Sequence, residues 1–83
     1  MHGVVLMGIH QDNIKQIKTM RRNLKLLRKD KKWSLEDASE ISGIDLKTLK
    51  RIERNGNFGI GHLLTLCRIY GVKAHKIFMP IDQ

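Results

Sequence analysis

Ile14, Ile17, Met20, Leu24 and Leu27 recur at spacings of three and four, which lines them along one face of a helix. With Asp12 or Asn13 as its cap, the pattern predicts a first helix over residues 13–31. The other face carries Lys15, Lys18, Arg21, Arg22, Lys25, Lys29 and Lys32, a pattern that by itself reads as a solvated face. Ser34 followed three residues later by Asp37 is a start signal, because the hydroxyl accepts from an otherwise orphaned backbone N–H. A second helix is therefore predicted from Leu35 to Ser42, with Gly43 supplying the positive φ of a tight exit and Ile44 turning inward. Asp45 caps a third helix, Leu46 to Asn55, whose Leu49 and Ile52 face the core.

Beyond Asn55-Gly56 the segment NFGIG reads as a loop, and His62 to Tyr70 as a fourth helix ended by Gly71. Leu63, Leu66, Cys67 and Tyr70 form its core side. A last helical turn, Ala74 to Met79, precedes Pro80, so the pattern predicts five helices and no sheet. Residues 1–12, MHGVVLMGIHQD, are set apart as an apolar N-terminal arm, with a β-strand over Val4–Ile9 as one expectation and a frayed terminus as the other.

At 83 residues the chain has room for one modest core, here assigned to residues 13–83. The formal net charge of +8 points to a polyanionic partner, nucleic acid or an anionic membrane surface. No apolar run approaches the roughly 18 residues of a membrane span, and the basic helix faces lack opposing Trp or Phe stripes, which argues against a membrane partner. The single Cys67 lies among core residues and has no internal disulfide partner, so a reducing, cytoplasmic compartment is expected. His2, His10, His62 and His75 are scattered, and no Cys–His or carboxylate pair has catalytic or ligand spacing. Neither an enzyme nor a bound metal or cofactor is expected.

Positive nucleic-acid chemistry comes from the third helix. On a wheel of 100° per residue, Lys47, Lys50, Arg51 and Arg54 fall together on the side away from Leu49 and Ile52. Four crowded cations repel one another unless an anion is present. Two short helices around a Gly-bearing turn match the helix-turn-helix motif, whose second helix enters the DNA major groove.

Here the chain resembles the phage-repressor and Cro type of helix-turn-helix regulator, the xenobiotic response element family, from about Asn23 to Phe78. The resemblance rests on NLKLLRKDKKWS at 23–34, EISGID at 40–45, LKRIERN at 49–55 and LLTLCRIYGVKAHKIF at 63–78. It implies an all-α, five-helix lambda-repressor-like DNA-binding domain that regulates transcription without catalysis. By that resemblance Gly43 is the turn glycine, Ile44 and Leu49 are core positions, and Ser39 is the small residue where the second and third helices approach. Arg28 and Glu53 are implied to form a structural ion pair between the first and third helices. Leu46, Lys47, Lys50 and Arg51 form the base-contacting set, with Lys47 and Arg51 suited to guanine O6 and N7 and Leu46 to a thymine methyl. Lys32, Ser34, Thr48, Arg54 and Asn57 form the phosphate-contacting set.

Three positions depart from the family pattern. Leu35 stands where a phosphate-binding Gln is usual, and Ala38 where a larger Leu fills the core, leaving space for Trp33 or Ile41. The NFGIG loop lacks basic residues, so phosphate contact there would use the backbone N–H groups of Gly56, Asn57 or Gly59. Family members act as twofold dimers on inverted repeats spaced by about 34 Å, so double-stranded DNA and a second copy are the expected partners. The candidate dimer surfaces are Ile77, Phe78, Met79 and Ile81, the end of the fourth helix, and the arm Val4–Ile9. A protein-binding role on the same fold, such as an antitoxin that sequesters a toxin, is the alternative.

Overall fold

The computed structural model describes residues 2–55 and 59–81, residues 2–12 through the backbone alone. Four α-helices follow in order, α1 (His2–Asp30), α2 (Leu35–Ser42), α3 (Leu46–Asn55) and α4 (Ile60–Tyr70). In place of the fifth helix expected over Ala74–Met79, a single 3₁₀ turn spans Ala74–Lys76. The Pro80 that was expected to end a helix follows too soon for another turn to propagate.

The largest correction lies at the start. Residues 2–12 continue α1, so the strand expected at Val4–Ile9 is helix, and α1 begins at His2 rather than near residue 13. A strand there would need a neighbour to pair its backbone groups, whereas a helix satisfies them within its own segment. The 29 residues of α1 rise about 43 Å. Met20 and Leu24 are buried and Leu27 packs against the core, but Ile17, expected on the inner face, is 40% exposed.

The core joins Met20 and Leu24 of α1, Ala38 of α2, Ile44 of the turn, Leu49 and Ile52 of α3, and Leu63, Leu66, Cys67 and Tyr70 of α4, closed by Ile77. Burial pushes the Cys67 thiol pKa up, which keeps it protonated and unreactive. Trp33 packs beside this core with its ring centroid 5.9 Å from that of Tyr70, while Ile41 stays exposed. Of the two side chains expected to cover small Ala38, only Trp33 turns toward the core.

Local chemistry fixes each boundary. Ser34 and Asp37 form a reciprocal capping box, the Ser34 Oγ accepting from the Asp37 N–H at 3.0 Å and the Asp37 carboxylate from the Ser34 N–H at 2.9 Å. Those hydrogen bonds, the backbone one first, hold the Asp37 carboxyl below its ordinary pKa. Gly43 exits α2 at φ +75°, and its N–H donates to the Ser39 carbonyl. Asp45 caps α3 by accepting from the Lys47 N–H at 3.1 Å. Helix α4 starts at Ile60, two residues before the expected His62.

Candidate nucleic-acid interface

The turn between α2 and α3 is held by two small hydroxyls. Ser39 Oγ donates to the Ile44 carbonyl at 2.6 Å, and Ser42 Oγ accepts from the Ile44 N–H at 3.0 Å. Ile44 is thereby driven into the core, which fixes the angle at which α3 leaves the turn. Leu49 and Ile52 anchor the inner face of α3 and are almost fully buried. The opposite face follows by periodicity, with Lys47, Lys50, Arg51 and Arg54 all exposed and Leu46 and Thr48 half-buried at its edges.

Those four cations form a closed set in which each sits three or four residues from two others. Among the described residues none of them joins an ion pair. Glu53 lies on the same helix but is committed elsewhere. Its two oxygens accept from Arg28 Nε at 2.7 Å and Arg28 Nη2 at 3.0 Å, a fork-to-fork arrangement in which both side chains are 9% exposed. Arg28 Nη1 also donates to the Trp33 carbonyl at 2.8 Å, so one guanidinium ties α1 to α3 and to the chain entering α2. The hydrogen bonds to Glu53 raise the Arg28 pKa further, and burial with the nearby Glu53 charge pushes the Tyr70 phenol up to about 12.

Around α3 the other expected contact residues take distinct places. Lys32 and Ser34 are exposed just before α2. Lys32 adopts φ +62° because it ends α1, its N–H donating to the Lys29 carbonyl while the Trp33 N–H reaches the Arg28 carbonyl. Leu35 is half-buried against the core, and Glu36 and Asp37 fill the first turn of α2, so an anion there relies on the side-chain donors Lys32 and Ser34 rather than on the helix terminus. Asn57 and Gly56 lie outside the described residues. The structure therefore brings Leu46 to Arg54 onto one helix and sets Lys32 and Ser34 at the entrance to the motif.

Two polar residues of α1 escape sequence reasoning. Asn23 is buried, and its Nδ2 donates at 2.7 Å to the carbonyls of both Ile77 and Met79. The signal was present, since an Asn between Met20 and Leu24 on an apolar face needs a buried partner. Arg21 was grouped with the solvated cations, yet its Nη1 donates to the Arg54 carbonyl at the end of α3. Nothing in local spacing reveals a partner so distant in the chain.

Among the described residues no group of His, Cys, Asp and Glu can hold a metal ion, and no helix is long and apolar enough to cross a membrane. A family model described as helix-turn-helix matches residues 24–77, more than half of the chain. No curated protein and no solved structure matches it.

Proposed function

The chain belongs to the Cro/C1-type helix-turn-helix family, a family of DNA-binding regulators, and on that premise we propose that it reads a specific double-stranded DNA sequence as a homodimer on an inverted repeat. The observation that carries this reading is the division of α3 between a locked inner face and four exposed cations without carboxylate partners among the described residues. Such a face is stabilised when an anion approaches it, and a helix presented this way fits the major groove.

In this reading Lys47 and Arg51 donate to guanine O6 and N7, with Lys50 beside them and Leu46 against a thymine methyl. Arg54, Thr48, Lys32 and Ser34 hold phosphate oxygens, the Ser34 hydroxyl donating its own hydrogen while its oxygen still caps α2. Asn57 is assigned the same role. The second copy docks through the C-terminal segment. Ile77 is fully buried in its own core and leaves the list of contact candidates, while Phe78 and Met79 are 37% and 57% exposed. Met79 joins Leu27, Val72, Lys76, Pro80 and Ile81 in lining a hollow of about 460 Å³, a mostly apolar surface with one lysine at which a symmetric partner can dock.

Selection from a random double-stranded DNA pool at about 150 mM salt, where non-specific phosphate binding is already weakened, tests the proposal. The expected product is an inverted repeat with G-bearing half-sites. A single unrepeated half-site overturns the homodimer, and binding without sequence preference overturns the regulator reading in favour of a protein partner such as a toxin.

A further inference from the structure

Two shallow hollows run between α1 and α3 and share Lys25 and Glu53. The first, about 400 Å³, is lined on α1 by Lys18, Arg21, Arg22 and Lys25. The second, about 320 Å³, adds Lys50 and Arg54 of α3. Together they form one basic trough that begins at the reading helix and continues along α1. Glu53 is the acid lining both hollows, and Arg28 occupies both of its oxygens. No acid occurs from Asn13 to Lys29, so α1 itself offers the row Lys18, Arg22 and Lys25 no partner over that stretch. Arg21, by contrast, folds back onto the Arg54 carbonyl and fixes the spacing of the two helices that form the walls.

We infer that this trough is a second contact surface for the DNA backbone, with Lys18, Arg22 and Lys25 of α1 holding consecutive phosphates that flank the half-site read by α3. The inference rests on the proposed DNA-binding role and extends it ahead of residue 24, where the helix-turn-helix match begins. Its geometry suits the ligand. The seven helical steps from Lys18 to Lys25 rise about 10 Å, the axial span of about three phosphates on one strand. The side chains stand at i, i+4 and i+7 and so project along one line. A free protein carries their mutual repulsion, and a phosphate row removes it.

The test compares the full-length protein with the double variant Lys18→Gln/Arg22→Gln and with Arg68→Gln/Lys73→Gln, which removes the same charge from exposed residues that line neither hollow. Binding is measured by fluorescence anisotropy on the selected duplex and on a mixed-sequence duplex, from about 50 to 200 mM salt. For Lys18→Gln/Arg22→Gln, the slope of log affinity against log salt should flatten by about 1.8, so that the variant loses about tenfold less affinity across that range than the wild-type protein. Affinity at low salt should fall on both duplexes alike, leaving sequence preference unchanged. An unchanged slope overturns the trough, as does an equal flattening in Arg68→Gln/Lys73→Gln, which would mean that net charge alone acts. Loss of sequence preference by the wild-type protein overturns the regulator reading instead, and absence of any duplex binding overturns both.

Discussion

Arg28 and Arg51 are the same side chain in opposite circumstances. Arg28 is 7% exposed and donates to both oxygens of Glu53 and to the Trp33 carbonyl. Arg51 is exposed and makes no ion pair among the described residues. The contrast holds for the buried polar side chains against the outer surface of α3. Where they are buried, polar groups are spent on the protein itself, as when Asn23 gives both amide hydrogens to the carbonyls of Ile77 and Met79. On the outer surface they are kept for something else. A cation in a sequence therefore carries no functional meaning until its reach to a carboxylate or carbonyl is known.

The contrast is broken most severely from the inside. Arg28→Ala should destabilise the fold by about 3–5 kcal/mol in urea unfolding followed by circular dichroism, because Glu53 is left buried without its partner. The double variant Arg28→Met/Glu53→Leu should recover most of that loss, since a well-packed apolar pair carries no unpaired charge. A double variant as unstable as the single one would show that the loss arises from packing and not from the abandoned carboxylate. A second stress on the buried side comes from alkali. The Tyr70 phenol ionises near 10.0 when unfolded and near 12 when folded, so the folded state retains its proton longer. Stability is unaffected by this group below pH 10 and falls between pH 10 and 12, by up to about 3 kcal/mol. Tyr70→Phe should flatten that limb of the pH–stability curve.

How much of this was legible in the sequence depended on how local each signal was. Ser34 with Asp37, and Gly43 before an inward Ile44, act over a few residues, and the caps and turn stand where the pattern puts them. The buried and exposed faces of α3 follow from periodicity alone. The start of α1 is hidden in the sequence because Gly3 and Gly8 interrupt its first turns and a run of apolar residues has no period that separates strand from helix. The Asn23 and Arg21 bonds join residues tens of positions apart, and no pattern encodes such a partner. At the candidate site, the sequence named which cations share a face. Which α1 cations adjoin α3, and that Arg28 takes up Glu53, required the packing of the two helices.

From the outer side the expected effects are smaller in stability and larger in selectivity. Arg51→Ala removes no ion pair among the described residues and acts at an exposed site, so its urea midpoint should stay within about 0.5 kcal/mol of the wild type. Its preference at one base pair of the selected half-site should drop by about 1–3 kcal/mol, read as the ratio of affinities for matched and substituted duplexes. An Arg51→Ala protein that binds both duplexes with wild-type preference would remove Arg51 from base recognition and leave Lys47 as the remaining guanine reader.

Lys32 sharpens the comparison because it belongs to both sides at once. Its φ of +62° ends α1 in the left-handed region, where a Cβ costs about 1–2 kcal/mol and glycine is the residue of choice. Gly43 and Gly71 fill the corresponding positions after α2 and α4, at φ +75° and +72°. Among the described residues, a non-glycine accepts this strain only at Lys32 after α1, an exposed site beside the cap of α2. Lys32→Gly should therefore raise stability, by about 1 kcal/mol or less once the greater freedom of an unfolded glycine is counted. The same substitution should weaken binding to every duplex alike and flatten the salt slope by about 0.9, the share of one phosphate contact. A more stable protein with weaker DNA binding would mean that the strain is kept for the phosphate. A gain in stability with binding and slope unchanged would return Lys32 to the solvated surface and leave Arg54 and Ser34 to hold the backbone there.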